Sequence, residues 1–542
     1  MKYTVSGFLL LTCMGVFPVQ SLACGGFFCQ IVPINQAAEQ IVFRQQGDQT
    51  TAMVRILYQG DAEDFSWVVP VPARPELSIG SDQTFIELDF ATRPTFNLET
   101  TGQSCDQDFA TTAGTTDGAV FESVADSDED GIMVEDLSVG PFDVQIVSSD
   151  NPDELALWLE DNEYDLSDNG RNLIAPYVND GMQFVALKLR SGESAGSIQP
   201  LIMTYTNDKP TIPIRLTAVA AEEDMGVLVW IVGDARAVPE NYLHVTPNYT
   251  QLNWYAGSAN AYGSYQTLIT AAMDEAGGQG FATDMAGPID EMLLNRLSSA
   301  APLEQFLVEV DALSSNAEFI SRVAGRATSD RFLNQLRSDL PLPDGQDDAA
   351  YYNFASLEVL FTGDELATAR PLVREHFVET EVSPLQESIA QIPEGEYLTR
   401  LYTTLSADEM TLDPFFSYNA DMPAQAQTRE ALMELSCGDN GTQWSLTLGA
   451  GTGREGETVI VANQPTPFSP PPEVTQQEAT WLIERTSGDA DPEVTRKNDF
   501  AVLAINTSMS EDDDDGGFLG AAGAAWLMLL IATAGLRFRK RL

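Results

Sequence analysis

Histidine is almost absent from this 542-residue chain, which contains only His244 and His376. Zinc hydrolases bind their metal mainly through histidine side chains, and the sequence has no His-Glu-x-x-His segment. It also lacks a P-loop, the glycine-rich segment that holds nucleotide phosphates. These absences argue against a zinc hydrolase and against a P-loop ATPase or GTPase, and we expect no cofactor of either kind.

Basic residues are also few, with 28 lysines and arginines against 81 aspartates and glutamates. Lys2 and four residues of the segment 537–542 account for five of the 28. The chain between them carries 23 positive and 81 negative side chains, a formal charge of −58. Such a surface repels nucleic acid and favours cations. We therefore expect no nucleic-acid partner, and we interpret the acidity mainly as a means of solubility outside the cell.

The N-terminus has the features of a secretory signal peptide over residues 1–23. A single lysine precedes an apolar run at residues 8–19, and the small residues Ser21 and Ala23 follow it. Cleavage by signal peptidase after Ala23 makes Cys24 the first mature residue. A lipoprotein signal needs a leucine-like residue where this chain has Ser21, so ordinary cleavage is favoured over lipidation of Cys24.

The C-terminus combines an acidic spacer, an apolar stretch and a basic end. The spacer covers residues 506–517 and ends in Gly516 and Gly517, the uncharged stretch covers 518–536, and a basic tail covers 537–542. Nineteen apolar or small residues are enough for one transmembrane helix, whose basic end stays in the cytoplasm. The arrangement resembles the GlyGly-type sorting tail, which implies cleavage near the glycines by a rhomboid-type protease. We therefore expect a single-pass membrane protein with its ectodomain outside the cytoplasm, or a cleaved form that is surface-exposed or secreted.

Cysteine is limited to four residues once the signal peptide is removed: Cys24, Cys29, Cys105 and Cys437. Four cysteines in an oxidising compartment predict two disulfides with three connectivities. Closure of Cys24 on Cys29 would leave Cys105 to pair with Cys437. A metal site is the alternative, and the shortage of histidine argues against it.

Strand-like alternation dominates residues 24–265. One helix interrupts it, with Asn151 as its cap and Pro152 in its first turn. The predicted strands cover residues 51–58, 65–71, 142–147, 184–189, 201–205, 212–219 and 227–232.

Helical spacing replaces this pattern over residues 266–415, for example at 303–313, and residues 398–410 are also interpreted as helical. Residues 416–505 form a mixed C-terminal region with a proline-rich linker. The predicted fold class is α+β, with a β-rich N-terminal domain followed by a helical domain and one C-terminal transmembrane helix.

Ser194 lies in the segment Gly192-Glu-Ser-Ala-Gly196, which matches the nucleophile elbow of esterases. That motif requires a helix directly after the serine, whereas Pro200 and a strand-like stretch follow here. A hairpin loop explains the pattern better. A hydrolase that uses Ser194, with His244 or His376 as its base, remains the alternative.

The segment with Asp126, Asp128, Asp130 and Gly131 has carboxylates at alternate positions, as calcium loops do. Leu137 occupies the position where an EF-hand has its bidentate glutamate. An acidic, solvated loop is therefore favoured over a calcium site, and calcium is the one metal cofactor left open.

Several segments together resemble a bacterial family of exported proteins known as domain of unknown function 2330. The resemblance implies export and a surface location, but it supplies no activity and no catalytic residues. The segments are Cys24-Gly-Gly-Phe-Phe-Cys29, Phe65-Ser-Trp-Val-Val-Pro-Val-Pro72, Val139-Gly-Pro-Phe-Asp143, Ala276-Gly-Gly-Gln-Gly-Phe281 and Tyr397-Leu-Thr-Arg-Leu-Tyr402.

These observations favour a cell-surface or secreted protein whose ectodomain binds a ligand or serves a structural role, without catalysis. The sequence does not identify the ligand. The two alternatives are a secreted hydrolase that uses Ser194 and a calcium-dependent binding module at residues 126–130.

Overall fold

The computed structural model describes residues 35–59, 65–102, 133–164, 168–219, 221–254, 257–299, 303–438, 441–461, 479–488 and 490–498. Its strands are β1 (Asn35–Gln46), β2 (Gln49–Gln59), β3 (Ser66–Val71), β4 (Glu76–Ile79), β5 (Thr95–Gly102), β6 (Met133–Val139), β7 (Phe142–Ser148), β8 (Gln183–Leu189), β9 (Leu201–Thr206), β10 (Ala221–Gly233), β11 (Arg236–Pro239), β12 (Leu243–Pro247), β13 (Gly280–Pro288), β14 (Tyr397–Leu405), β15 (Phe416–Asn419), β16 (Thr428–Gly438), β17 (Gly441–Leu448), β18 (Thr458–Val461), β19 (Thr480–Arg485) and β20 (Glu493–Lys497). Its α-helices are α1 (Asp82–Thr92), α2 (Pro152–Asp161), α3 (Asp168–Asn179), α4 (Ile214–Thr217), α5 (Gly257–Glu275), α6 (Glu291–Ser299), α7 (Leu303–Asp311), α8 (Asn316–Ala324), α9 (Asp330–Asp339), α10 (Phe354–Leu360), α11 (Gly363–Phe377) and α12 (Ser383–Ile389).

A ten-stranded mixed sheet, the large sheet, carries the fold. Its strand order is β20-β19-β12-β13-β14-β10-β1-β2-β9-β4. β1 runs parallel to β10 and β12 runs parallel to β13, whereas the other neighbours are antiparallel. Strands from residues 35–59 and from residues 480–497 therefore belong to one sheet, and the described chain folds around it from both ends.

A four-stranded antiparallel sheet, the second sheet, packs on one face of the large sheet. Its order is β3-β8-β7-β6. Alternate residues of each strand point to the same side, so one face of β1 and one face of β3 can share an apolar layer. That layer contains Ile41 and Phe43 from β1, and Trp67 and Val69 from β3.

Helices α2 and α3 cover the outer face of the second sheet. The Asn151 side chain caps α2 by accepting a 3.0 Å hydrogen bond from the Asp153 N–H, and Pro152 occupies the first turn. The predicted helix and its cap are confirmed. The buried side chains of this layer include Val68, Val147, Leu155, Trp158, Leu159, Ile174, Phe184 and Ala186.

The opposite face of the large sheet is covered by α1, α5 and a smaller sheet with the order β18-β17-β16-β5. Trp230 of β10 packs edge-on to Phe85 of α1, with ring centroids 6.0 Å apart. Tyr265, Leu268 and Ile269 of α5 join the same apolar layer. The central strands of the large sheet are therefore buried on both faces.

The predicted order of a β-rich domain followed by a helical domain is wrong. The fold is α+β with a β-rich body, but α6 to α12 are inserted between β13 and β14, which are two strands of the large sheet. Helices α7 to α12 contribute to a separate apolar core that includes Phe319, Phe332 and Phe377. The helical region is thus an insertion into the sheet rather than a segment that follows it.

Two local predictions also differ from the structure. Residues 398–410 begin as strand β14 rather than as a helix, because this strand is buried on both faces and shows no alternation of apolar and polar residues. Residues 212–219, predicted as a strand, contain the four-residue helix α4 instead.

The expectation of a membrane-spanning helix is not met. Within the ranges given above, no helix is long and apolar enough to cross a membrane. Residues 518–536, where the helix was expected, lie outside those ranges, as do residues 1–23 and the spacer and tail at 506–517 and 537–542.

Candidate functional site

Glu39 of β1 points into the apolar layer between the large sheet and the second sheet. It pairs in register with Ile56 of β2 and with Val227 of β10. Because side chains alternate along a strand, Glu39 shares its face with Ile41 and Phe43, which belong to that layer. The strand thus places a carboxyl group where its neighbours are hydrocarbon.

A cavity of about 140 Å³ adjoins Glu39 between the two sheets. It is close in size to an engineered apolar cavity of about 150 Å³ that binds benzene. We refer to it as the Glu39 cavity. Its apolar lining includes Ile41, Phe43, Val54, Trp67, Val69 and Met203.

The Glu39 carboxyl group is poorly solvated. Its residue is 7% exposed, and its Oε2 atom has no hydrogen-bond partner among the residues that the structure describes. Burial disfavours the charged form and raises the pKa of Glu39 from its ordinary 4.5 to about 7. An unpaired acid that titrates near neutral pH inside an apolar cavity is typical of a functional position.

The other acid that lines the Glu39 cavity is already paired. Asp413 Oδ1 accepts a 2.8 Å hydrogen bond from the Tyr177 hydroxyl, and its Oδ2 accepts one of 2.8 Å from Arg215 Nε. The Arg215 guanidinium also stacks on the Tyr177 ring, 4.5 Å from the ring centroid. Asp413 therefore has a structural role in the wall of the cavity. Glu39 is the lining acid whose carboxyl group is available to bind a ligand.

A family model described as an uncharacterised protein conserved in bacteria, DUF2330, matches residues 18–322, which is more than half of the 542-residue chain. The chain belongs to the DUF2330 family. Searches of curated proteins and of solved structures found no match. The DUF2330 match includes Glu39 and the strands that line its cavity, and it ends within α8 of the helical insertion.

Four of the sequence segments that suggested DUF2330 lie within the matched residues, whereas residues 397–402 lie beyond them. The segment at 65–72 forms β3, which lines the Glu39 cavity through Trp67, Val69 and Val71. The segment at 139–143 forms the turn between β6 and β7. One of the segments quoted for the resemblance therefore contributes directly to the candidate site.

Ser194 has neither the local structure nor the partner that a nucleophile needs. It lies in the loop between β8 and β9, is 2% exposed, and has its Oγ 3.4 Å from Ser197 Oγ. His244 contacts Glu484, and His376 contacts Asp339. In the part of the chain that the structure describes, neither histidine lies within hydrogen-bonding distance of Ser194.

We expect a Ser194→Ala variant to behave like the natural protein toward a fluorophosphonate probe. Without a base at hydrogen-bonding distance, the hydroxyl group is not activated as a nucleophile. Gel fluorescence after labelling measures the reaction. Labelling that disappears with Ser194→Ala would contradict this assignment.

The remaining predicted site residues fall mostly outside the described ranges. These are Ala23, Cys24, Cys29, Cys105, Asp126, Asp128, Asp130, Gly516 and Gly517. Cys437 lies on β16, but its side chain is not among those described. No group of three or more potential metal-ligating side chains occurs in the described part of the chain.

Sequence reasoning missed Glu39. The signal was a glutamate two residues before Ile41 and four before Phe43, which places it on the same face of the strand. An apolar residue is expected there, because that face is buried. The alternation predicted at residues 51–58 belongs to β2, the partner of β1. Extending it to the preceding strand would have identified a carboxyl group directed into the core.

Proposed function

We propose that the protein is an exported bacterial binding protein without catalytic activity, which takes a small, mainly apolar molecule into the Glu39 cavity. The observation that carries the proposal is an acid with an unpartnered oxygen beside an apolar space large enough for one aromatic ring. A buried acid of this kind destabilises the empty protein, and a ligand that donates to it relieves that cost. The family itself supports only the description of an uncharacterised bacterial protein.

Export and a surface or secreted location remain proposals that rest on the sequence. The signal-peptide features of residues 1–23 and the excess of 81 acidic over 28 basic residues support export. The likeness of the tail around Gly516 and Gly517 to the GlyGly-type sorting tail supports processing by a rhomboid-type protease. Two disulfides among the four mature cysteines fit the same oxidising compartment.

The chemistry of the cavity defines the class of ligand. The apolar walls favour a hydrocarbon body no larger than an aromatic ring or a short aliphatic chain. Glu39 favours a single donor group at one end, and an amine suits it best because a cation stabilises the ionised carboxylate. We therefore propose a small amphipathic amine as the ligand.

A matched pair of fluorinated probes tests this assignment. We expect 4-fluorobenzylamine to bind the natural protein at least about tenfold more tightly than 1-ethyl-4-fluorobenzene, since a hydrogen bond to a charged group contributes about 1.5–3 kcal/mol. The two molecules have nearly the same shape, so the difference isolates the donor. Titration followed by fluorine NMR measures both affinities.

The Glu39→Gln variant should lose most of the preference for the amine while it still binds the hydrocarbon probe. Glu99→Gln is the matched control, because Glu99 is an exposed strand glutamate on β5 and should leave both affinities unchanged. If neither probe binds the natural protein, or if the preference survives in Glu39→Gln, the proposed site is wrong.

A further inference from the structure

A second cleft lies on the other side of β14 from β1, where β11 and β15 pair with each other beside β12 and β19. Its volume is about 300 Å³, roughly twice that of the Glu39 cavity. We call it the Arg236 cleft. Its lining includes Arg236, His244, Asp421, Glu484 and Asp491.

Arg236 is a buried cation whose hydrogen bonds are incomplete. It is 4% exposed, and none of its nitrogens lies within 4.0 Å of a carboxylate in the described part of the chain. Nη1 donates a 2.6 Å hydrogen bond to the Pro423 carbonyl oxygen, and Nη2 lies 3.4 Å from His244 Nε2. Nε has no partner among the described residues.

The neighbouring histidine is held in a defined orientation. His244 Nδ1 lies 3.4 Å from Glu484 Oε2, its cross-strand partner on β19, and Nε2 lies 3.0 Å from Thr283 Oγ1. Burial lowers the pKa of His244, so the ring is neutral near pH 7. A neutral ring that donates from Nδ1 to Glu484 accepts at Nε2, and it leaves Arg236 as the buried positive charge beside it.

A guanidinium group with a free Nε and a weakly engaged Nη2 is suited to a carboxylate. These two nitrogens lie on the same edge of the group and can donate two parallel hydrogen bonds to two carboxylate oxygens. A buried charge without such a partner destabilises the protein, which gives a physical reason to expect an anion there.

The rest of the cleft favours a ligand with a positive charge as well. Asp421 and Asp491 line the cleft and are exposed, and Glu484 adds a third carboxylate. Three acids disfavour a multiply charged anion such as phosphate, whereas they attract an ammonium group. The ligand should therefore be neutral overall, with a carboxylate for Arg236 and an ammonium for the acids near the opening.

We propose that the Arg236 cleft binds a free α-amino acid, with its carboxylate on Arg236 and its ammonium group toward Asp421 and Asp491. This site is separate from the Glu39 cavity, and it depends on different strands and different charges. An experiment that rules out binding at one of these sites therefore does not bear on the proposal for the other.

The two histidines make the proposal directly measurable. In the full-length protein labelled with ¹³C-histidine, His244 and His376 give separate ring signals, which a His376→Gln variant assigns. The common α-amino acids are added singly at millimolar concentration. We expect at least one of them to shift the His244 signal in a saturable manner, while the His376 signal on α11 stays in place.

Blocked derivatives and variants then locate the charges. The amide of the active amino acid, which lacks the carboxylate, should bind at least tenfold more weakly, as should the free amino acid to Arg236→Gln. Asp421→Asn, on an exposed loop, should weaken the free amino acid several-fold and leave its N-acetyl derivative unchanged. Arg337→Gln, an exposed arginine on α9, is the control and should bind normally.

The proposal is overturned if no amino acid shifts the His244 signal, or if the amide binds as well as the free acid. If Arg236→Gln does not fold, as judged by circular dichroism, the amide and Asp421→Asn decide the outcome. If the free amino acid binds Asp421→Asn as tightly as it binds the natural protein, Asp421 does not bind the ammonium group and the proposed orientation of the ligand is wrong.

Discussion

Replacing Arg400 by methionine is expected to lower the free energy of unfolding by about 3–5 kcal/mol, the usual effect of breaking a buried ion pair from one side. Arg400 on β14 and Asp284 on β13 are both completely buried, with 2.9 Å between Nε and Oδ2. Methionine fills much of the space but leaves the Asp284 charge without its counter-ion. The uncompensated charge, rather than lost packing, accounts for most of the expected loss.

The network around this pair explains why the loss should spread beyond two residues. Arg400 Nη1 also pairs with Asp89 of α1 at 2.8 Å, and Asp284 accepts a hydrogen bond from the Tyr265 hydroxyl of α5. Arg429 of β16 donates to the Asp284 carbonyl oxygen at 2.8 Å. One buried cluster thus joins the large sheet to the helices and to the smaller sheet on its face, so its partners lose their hydrogen bonds together.

Urea denaturation of Arg400→Met and of the natural protein measures the difference. The control is Arg337→Met, because Arg337 forms an exposed ion pair with Asp348, and exposed pairs contribute about 0–1 kcal/mol. Equal losses for the two variants would show that the cluster does not stabilise the fold in the way described. Asp284→Asn should also destabilise the protein, because it leaves Arg400 with a weaker partner.

The β-rich body was predictable from local pattern. Residues 51–58, 65–71, 142–147 and 184–189 are short runs with alternating or continuous apolar residues, and each forms the expected strand. The helix with Asn151 as its cap was equally visible, because a side-chain cap is a local interaction. These features depend on neighbours in sequence, which is the information that a single sequence carries.

The insertion of the helices into the large sheet was not predictable in this way. β13 and β14 are neighbours in the sheet although more than one hundred residues separate them in the chain. β14 is covered on both faces, so its residues lack the alternation that marks a half-buried strand. Its position depends on tertiary contacts that no local pattern records.

The candidate sites also combine a feature that is visible in the local sequence with one that depends on tertiary contacts. Glu39 shares one face of its strand with Ile41 and Phe43, and the residues that follow Arg236 in its short strand are apolar. A charged residue in such a setting is a recognisable signal. What each of them faces could not be derived, because the lining residues come from distant segments. Glu484, for example, reaches His244 across 240 positions of sequence.

Glu39 should also make the stability of the protein depend on pH in a characteristic direction. Burial raises the pKa of Glu39 from 4.5 to about 7 in the folded protein, whereas the unfolded chain retains the ordinary value. Below pH 4.5 both states are protonated, so the group has no effect on the pH dependence. Between pH 4.5 and 7 the folded state holds a proton that the unfolded state has released, so stability falls as the pH rises.

The comparison with Glu39→Gln isolates this contribution. The free energy of unfolding of Glu39→Gln minus that of the natural protein should increase by about 3 kcal/mol between pH 4.5 and 7.5, since each pH unit between the two pKa values contributes about 1.4 kcal/mol. Denaturant titrations across this range measure it. The buried His244, whose pKa is lowered, affects both proteins equally and cancels in the difference.

A difference that does not change with pH would mean that Glu39 ionises at its ordinary pKa and is better solvated than its surroundings indicate. Glu99→Gln supplies the baseline, because Glu99 is an exposed strand glutamate outside the cavity. An amine in the cavity should reduce the loss in the natural protein, because it binds the ionised carboxylate and lowers the pKa of Glu39. The pH dependence and the ligand preference therefore have one cause, the unpaired carboxyl group between the two sheets.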